Sequence, residues 1–124
     1  MGLIPDTGGS WHLPHLLGEV RAKGLAFSAE PLSAEKAESW GLIWKSVEDA
    51  SLMQTARDMV ESFAKGPTLG LALTKEAIQT SWDNDLLTHL DKEAEFMTRC
   101  GESADYAEGV SSFLEKRAPN FKGR

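Results

Sequence analysis

Cysteine and histidine are scarce in this chain, which has one cysteine, Cys100, and three scattered histidines in 124 residues. A single cysteine cannot form an intramolecular disulfide, and together these residues offer no spacing suited to a metal site. We therefore expect no bound metal. A lone cysteine is also typical of a reducing compartment, so we expect a cytoplasmic location.

Basic residues are fewer than acidic residues in this chain. Thirteen Lys and Arg stand against nineteen Asp and Glu, which gives a net charge of -6, and the basic residues form no stripe. This composition argues against a nucleic-acid partner. The one basic cluster, LEKRAPNFKGR, lies at the C-terminus and is by itself typical of a solvated helix end favoured by the helix dipole.

Long apolar runs and familiar catalytic motifs are also lacking. No run approaches the roughly 20 apolar residues that cross a bilayer, and the first residues do not resemble a signal peptide. We therefore expect no membrane partner. The sequence contains no nucleophile elbow, phosphate-binding loop, dinucleotide fingerprint or Cys-His pair.

Helical periodicity dominates what is present, in a chain the size of one ordinary domain. Apolar residues recur at intervals of three and four, so we predict a mostly α fold. Four predicted helices have bounds given by periodicity: 10–17, 19–28, 49–65 and 68–82. Ser33 is predicted to cap a further short turn of helix. Two more helices are predicted from their ends: one is capped by Asn84 or Asp83 and ends at Gly101, and the other begins at Ser103 and stops at Pro119.

Two features of these segments leave alternatives open. Residues 42–48, LIWKSVE, are either a strand that pairs with a missing element or an extended connection, because a lone strand is unstable. The four Trp and five Phe are expected in the core or an interface, and Trp40 and Trp82 fit this prediction well. The helix after residue 84 is predicted to have an inner stripe of Leu86, Leu87, Leu90, Ala94 and Met97.

The best candidate for chemistry is Asp6, in the stretch PDTGGS. Its carboxylate could cap the following helix by accepting backbone N–H groups, or act as a general base beside a substrate. Gly8 and Gly9 suit either a tight turn or a ligand that runs close to the backbone. His12 and His15 lie three residues apart without a third ligand or nucleophile, so we expect solvent-exposed or packing histidines.

Three segments taken together resemble the C-terminal half of the crotonase superfamily of enoyl-CoA hydratases and isomerases. They are GLIPDTGGSWHLPHLLG, then LAFSAEPLSAEKAESWGLI, then SADYAEGVSSFLEKRAPNFKG, and the likeness covers essentially all 124 residues in order. Within the superfamily, the first and last segments are most similar to the isomerases of phenylacetate breakdown, which act on ring-epoxidised phenylacetyl-CoA and also shift enoyl double bonds.

The resemblance implies roles for particular residues. Asp6 matches the catalytic aspartate of isomerases, where ordinary hydratases commonly have a non-acidic residue, and would shuttle a proton on the acyl chain. Gly8, Gly9 and Trp11 would line the substrate. Phe113 and Lys116 would approach the adenine end of CoA, although a core Phe113 and a solvent-exposed Lys116 are an equal alternative. No cofactor is implied beyond the CoA of the substrate.

The resemblance also implies an architecture. Residues 1–48 would end the crotonase core and carry the Asp-x-Gly-Gly turn, and 49–124 would form a helical trimerisation region. The N-terminal spiral β/α core, with the two backbone donors of the oxyanion hole, has no counterpart here, so we expect a longer chain upstream and little activity without it.

Assembly and two rival functions follow from the same likeness. Uncovered apolar helix faces should favour a homo-oligomer, a trimer or hexamer in the longer protein. The first rival is an ordinary enoyl-CoA hydratase in which Asp6 only caps a helix. The second is a non-catalytic helical oligomerisation module.

Overall fold

The computed structural model describes residues 2–124, and these residues form helices joined by turns, without a strand. The helices are α1 (Gly9–Leu17), α2 (Glu19–Ser28), α3 (Ala34–Ser39), α4 (Asp49–Ala64), α5 (Thr68–Thr80), α6 (Leu86–Gly101) and α7 (Ala104–Glu115). The predicted mostly α fold is therefore confirmed. Residues 42–48 contain no strand: residues 42–44 form bends and residues 45–48 have no regular structure. Pairing of this segment with an element outside this chain stays a prediction.

The chain divides into two compact units, with the boundary after Leu52, inside α4. In the first unit α1 packs on α2, and the small buried core there is formed by Leu17, Ala22 and Ala37. Ser33 caps α3, because its hydroxyl accepts a hydrogen bond from the N–H of Lys36 at 3.3 Å. The predicted role of Ser33 is confirmed.

In the second unit α6 packs against α5 and against α7. Its buried side chains include Leu73 of α5 and Phe96 of α6. Ser103 caps α7 as predicted, since its hydroxyl accepts from the N–H of Tyr106 at 3.0 Å. Among residues 2–124, no helix combines the length and the apolar character that crossing a membrane requires.

The predicted start of α6 was wrong. Asp85 is the N-cap, and its carboxylate accepts from the N–H of Thr88 at 2.9 Å. Asn84, one of the two predicted caps, instead places its side-chain amide 3.4 Å from Nδ1 of His89. The cap therefore lies one or two residues later than the sequence suggested, because three polar residues in succession can all serve as an N-cap.

The predicted inner stripe of α6 was also wrong for this chain. Leu86, Leu87 and Met97 are more than 70% exposed, whereas Phe96 is the buried residue of the helix. The face that carries Phe96 is the one that packs on the neighbouring helices. The apolar periodicity of the sequence predicts one face of α6 as the buried face, but a different face, which carries Phe96, packs on the neighbouring helices of this chain.

The aromatic side chains are mostly outside the core of this chain. Phe96 is buried, but Trp82 is 42% exposed, so its predicted core position is wrong and an interface position stays a prediction. Trp40 is half-buried, and the guanidinium of Arg21 and the ammonium of Lys36 lie 5.1 and 4.8 Å from its ring centroid. These cation–π contacts hold Trp40 at the end of α3.

Candidate functional site

The Asp-Thr-Gly-Gly turn has an unusual backbone. Thr7 has φ 51° and Gly8 has φ 84°, so two successive residues adopt left-handed conformations. The N–H of Gly9 donates to the carbonyl of Asp6 at 2.8 Å, and α1 begins at Gly9. Glycine adopts such a φ without steric cost, which explains Gly8.

Asp6 does not cap α1. The N-cap position belongs to Gly8, and among the described residues no side chain makes a capping hydrogen bond to this helix. The Asp6 side chain is exposed, and its carboxylate accepts from the hydroxyl of Thr7 at 3.2 Å. The capping alternative is therefore wrong, because the turn at Thr7 and Gly8 separates the carboxylate from the first helical N–H groups.

The turn has little room for side chains at the two glycines. A Cβ atom on Gly8 would lie 3.0 Å from Cδ2 of His12, and one on Gly9 would lie 3.3 Å from Cβ of Pro5. Both distances are tighter than ordinary van der Waals contact. The glycines therefore let His12 and Pro5 pack directly against the backbone beside Asp6.

An aromatic cluster follows the turn on α1. The ring of Trp11 makes an edge contact with His12, with centroids 5.0 Å apart, and a tilted contact with His15 at 4.3 Å. Nδ1 of His15 lies 2.6 Å from the carbonyl oxygen of Trp11. All three side chains are exposed, which confirms the prediction for the two histidines. Asp6, Gly8, Gly9 and Trp11 are thus neighbours along one turn and the start of one helix.

A small cavity of about 200 Å³ lies between α1 and α2 in the same unit. Gly9 is the one predicted site residue on its wall, where it is joined by Pro5, Leu13 and Phe27. Asp6 and Trp11 do not line it. The cavity is therefore distinct from the open surface around the Asp6 carboxylate.

The two predicted CoA-contacting residues lie at the end of α7, in the second unit. Phe113 is 83% exposed and lines an apolar cavity of about 530 Å³ together with Tyr106, Val110 and Phe121. The alternative of a core Phe113 is therefore wrong for this chain. Lys116 lies just outside α7 as its C-cap, in a left-handed conformation with φ 55°. Contact of these two residues with CoA stays a prediction.

The sequence reasoning missed a charged network on α7. Asp105 is buried, with 4% of its surface exposed, and its carboxylate accepts from the backbone N–H groups of Lys122 and Gly123 at 2.6 and 2.8 Å. Glu108 accepts two bonds from the guanidinium of Arg117, at 2.5 and 2.9 Å. No local pattern signals these contacts, because they join residues 9 to 18 positions apart.

The network has clear electrostatic consequences. The hydrogen bonds from Arg117, and then that from the N–H of Asn120, lower the pKa of Glu108 to about 2. The pKa of Glu115 is also lowered, first by its hydrogen bond from Arg117 and then by that from Ser111. The pKa of Arg117 is raised by the same two carboxylates. Within residues 2–124, no group of three or more metal-ligating side chains is arranged to hold an ion.

The family model of enoyl-CoA hydratase/isomerase matches residues 1–124. The 1,2-epoxyphenylacetyl-CoA isomerase of Escherichia coli strain K12 is 49% identical over 124 residues, which are 100% of this chain and 47% of that protein. A short-chain-enoyl-CoA hydratase of Clostridioides difficile is 33% identical over 91% of this chain and 73% of its own length.

Solved structures give the same result. The crystal structure of an enoyl-CoA hydratase from Bacillus anthracis superposes with a TM-score of 0.90 at 34% identity, covering 99% of this chain and 48% of that one. This chain spans about half the length of that structure and of the E. coli relative. The matches confirm the resemblance of this helical chain to half of a crotonase-type fold. The chain belongs to the enoyl-CoA hydratase/isomerase family.

Proposed function

We propose that this chain supplies the proton-shuttling acid of an acyl-CoA isomerase, and that Asp6 is this acid. The carboxylate would take a proton from a carbon next to the thioester and return it to another carbon of an enoyl- or ring-epoxidised phenylacetyl-CoA substrate. The E. coli relative, which is named for an epoxyphenylacetyl-CoA substrate, favours the second of these substrates.

The proposal depends on the exposure and the hydrogen bonding of the Asp6 carboxylate. It is exposed on a turn and hydrogen-bonded to the hydroxyl of Thr7, not to the N–H groups of α1. A carboxylate that is committed to a helix cap would be a poor base, because its lone pairs are already hydrogen-bonded. Asp6 is exposed, so its carboxylate would be accessible to a proton on a bound ligand.

The reaction also needs hydrogen-bond donors that stabilise the negative charge developing on the thioester oxygen. A proton next to a thioester becomes removable when backbone N–H groups stabilise the enolate oxygen, and losing one such donor costs about two to three orders of magnitude in rate. In the family these donors come from a region that precedes the part resembled here. We propose that Asp6 works with such a region in a longer protein.

The remaining predicted residues have supporting roles. Gly8 and Gly9 would form the turn that lines the acyl chain beside Asp6, and the exposed ring of Trp11 would cover that chain. Phe113 and Lys116 would contact the adenine end of CoA, where an exposed aromatic ring can stack on a base and an ammonium can pair with a phosphate.

A chimera tests the proposal. The matched 124 residues of the E. coli isomerase would be replaced by this chain, and isomerisation and enoyl-CoA hydration would be assayed separately. We expect Asp6→Asn to reduce isomerisation by about 10²- to 10⁴-fold. Asp91→Asn, which changes an exposed aspartate of α6 in the same way, should leave both activities unchanged.

The same assay separates the rivals. Because the C. difficile relative is named as a hydratase, hydration is the second candidate function. Hydration that survives Asp6→Asn together with absent isomerisation in the unmodified chimera would support the hydratase and overturn our proposal. A folded chimera that has neither activity and binds no CoA thioester would favour the oligomerisation module.

We propose a homo-oligomer and a cytoplasmic location as well. Leu86, Leu87 and Met97 expose an apolar stripe on α6 that a second copy could cover. The single cysteine favours a reducing compartment. Sedimentation of the chain as a compact monomer that binds no apolar dye would contradict the homo-oligomer.

A further inference from the structure

The last eight residues, 117–124, run back along α7, and we refer to them as the strap. The N–H of Arg117 donates to the carbonyl of Ser112 at 3.0 Å, and the N–H of Asn120 donates to the carboxylate of Glu108 at 2.7 Å. Further along, the N–H of Lys122 donates to the carboxylate of Asp105. The partners on α7 occur in reverse order, so the strap is antiparallel to the helix.

Asp105 anchors the far end of the strap. Its carboxylate holds the N–H groups of Lys122 and Gly123, and its own N–H donates to the carbonyl of Arg124 at 3.1 Å. Gly123 has φ 75°, and a Cβ there would lie 2.3 Å from Oγ1 of Thr68. The strap therefore ends in a backbone conformation suited to glycine, packed closely against the start of α5.

Arg117 anchors the near end. Its guanidinium donates two hydrogen bonds to Glu108 and one, at 2.6 Å, to Glu115. Two parallel bonds between a guanidinium and a carboxylate fix orientation as well as distance. Glu115 also accepts from the hydroxyl of Ser111 at 2.8 Å, so every carboxylate around Arg117 is itself held in place.

Lys116 lies between α7 and this anchor. A left-handed conformation destabilises a lysine relative to glycine, so the surroundings must stabilise it. The N–H of Lys116 donates to the carbonyl of Phe113 at 3.3 Å, and the next N–H, of Arg117, reaches back to Ser112. The side chain of Arg117, the residue that follows Lys116, then donates to the carboxylate of Glu108. The backbone conformation at Lys116 sets the direction in which its side chain leaves the helix end.

We propose that Glu108 and Arg117 are positioning residues that hold Lys116 in its left-handed conformation and so aim its ammonium at the phosphates of CoA. This inference rests on the proposed CoA contact of Lys116. It explains why a lysine occupies a position that favours glycine, since glycine would relieve the strain but provide no cation. Neither Glu108 nor Arg117 need touch the ligand.

The test uses the 124-residue chain and the chimera described above. Binding of CoA and of pantetheine, which lacks the nucleotide, is measured by calorimetry. We expect Lys116→Ala and Glu108→Gln each to weaken CoA binding about five- to tenfold and to leave pantetheine binding unchanged. In the chimera the KM for the CoA thioester should rise by the same factor at constant kcat. Glu95→Gln, which breaks an exposed pair with Arg99 on α6, is the matched control and should have no effect.

A double variant separates positioning from a general structural effect. Glu108→Gln combined with Lys116→Ala should bind CoA no more weakly than Lys116→Ala alone, because the position of an absent ammonium cannot matter. Equal weakening by Glu108→Gln in both backgrounds would overturn the inference.

Backbone NMR gives a readout that does not depend on any ligand. The intraresidue amide and Hα contact that marks a positive φ at Lys116 should persist in the control and be lost in Glu108→Gln. Its persistence in Glu108→Gln would overturn the inference while leaving the CoA contact in place. Absence of CoA binding by both the chain and the chimera would overturn the CoA contact, and this inference with it.

Discussion

The buried carboxylate of Asp105 accepts a hydrogen bond from the backbone N–H of Gly123 at 2.8 Å, although 18 residues separate the two. The same carboxylate accepts a second backbone N–H, that of Lys122. Hydrogen bonds to a charged acceptor are about twice as strong as neutral ones. Asp105 is therefore the side chain that attaches the far end of the C-terminal strap to α7.

Replacement of this carboxylate should destabilise the second unit. Asp105→Asn keeps the shape but brings an NH₂ group toward two N–H donors, so at least one donor loses its partner. We expect the free energy of unfolding, measured in urea by circular dichroism, to fall by about 1.5–3 kcal/mol. Asp91→Asn on the exposed surface of α6 should change it by less than about 0.5 kcal/mol. Equal effects of the two variants would contradict the role of Asp105.

Acid should release the strap at Glu108. Its pKa falls from the usual 4.5 to about 2 in the folded chain, mainly because of Arg117 and then because of the N–H of Asn120. The folded state therefore binds fewer protons than the unfolded state. The stability contributed by Glu108 is complete above pH 4.5 and is lost as the pH falls through about 2.

Urea unfolding at several values between pH 6 and pH 2 measures this effect. We expect the free energy of unfolding to decrease below pH 4.5, with a smaller decrease in Glu108→Gln. Arg117 stays charged throughout, and Glu115, whose pKa Arg117 also lowers, should supply part of the slope that the variant keeps. Identical pH profiles for the two proteins would refute the assignment to Glu108.

Local sequence patterns were enough to predict most helices and two of their caps. The observed helix Glu19–Ser28 has the predicted bounds, and Ser33 and Ser103 cap the helices that they were predicted to open. These features depend on residues three or four positions apart, so the sequence around them contains the whole interaction.

Burial and the charged network could not be predicted in the same way. The apolar stripe of α6 does not indicate which face meets a neighbour, and Phe96 is buried while Leu87 is 74% exposed. Asp105 and Glu108 look like ordinary solvated residues in the sequence, because their partners are backbone groups and an arginine supplied by a returning segment. Asp6 was located correctly on its turn, but the left-handed Thr7 that prevents it from capping α1 has no sequence signal.

Two glycines of the first unit, Gly8 before α1 and Gly24 within α2, differ in backbone conformation and in the space around them. Gly8 has φ 84° and a Cβ there would meet the ring of His12 at 3.0 Å, whereas Gly24, inside α2, has no atom within 4 Å of its added Cβ. We expect Gly8→Ala to lower the free energy of unfolding by about 1–2 kcal/mol through its backbone conformation. Gly24→Ala should raise it by about 0.5–1 kcal/mol, since alanine is the better helix former.

Thermal unfolding followed by circular dichroism compares these two variants. In the chimera, Gly8→Ala should also reduce isomerisation, because a shifted turn displaces the Asp6 carboxylate. Gly24→Ala should not. A Gly8→Ala protein as stable and as active as Gly24→Ala would show that the left-handed turn is dispensable.

The start of α6 allows a direct comparison of two neighbouring aspartates. Asp85 accepts from the N–H of Thr88 at 2.9 Å and from its hydroxyl at 3.2 Å, and the N–H bond is the main reason that the pKa of Asp85 is lowered. Asp83 lies in the preceding turn, outside the N-cap position. Asp85→Ala should therefore lower the free energy of unfolding at pH 7, because the N–H of Thr88 loses its side-chain acceptor. Asp83→Ala should change it by less than about 0.5 kcal/mol.

The pH dependence of this pair provides an internal check. Because the pKa of Asp85 is lowered in the folded chain, the stability that its charge contributes is present above the unfolded value and declines as acid protonates the carboxylate. The difference between Asp85→Ala and the unmodified chain in urea should therefore shrink in acid. A larger loss from Asp83→Ala than from Asp85→Ala at pH 7 would restore Asp83 as the cap and move the start of α6 back toward its predicted position.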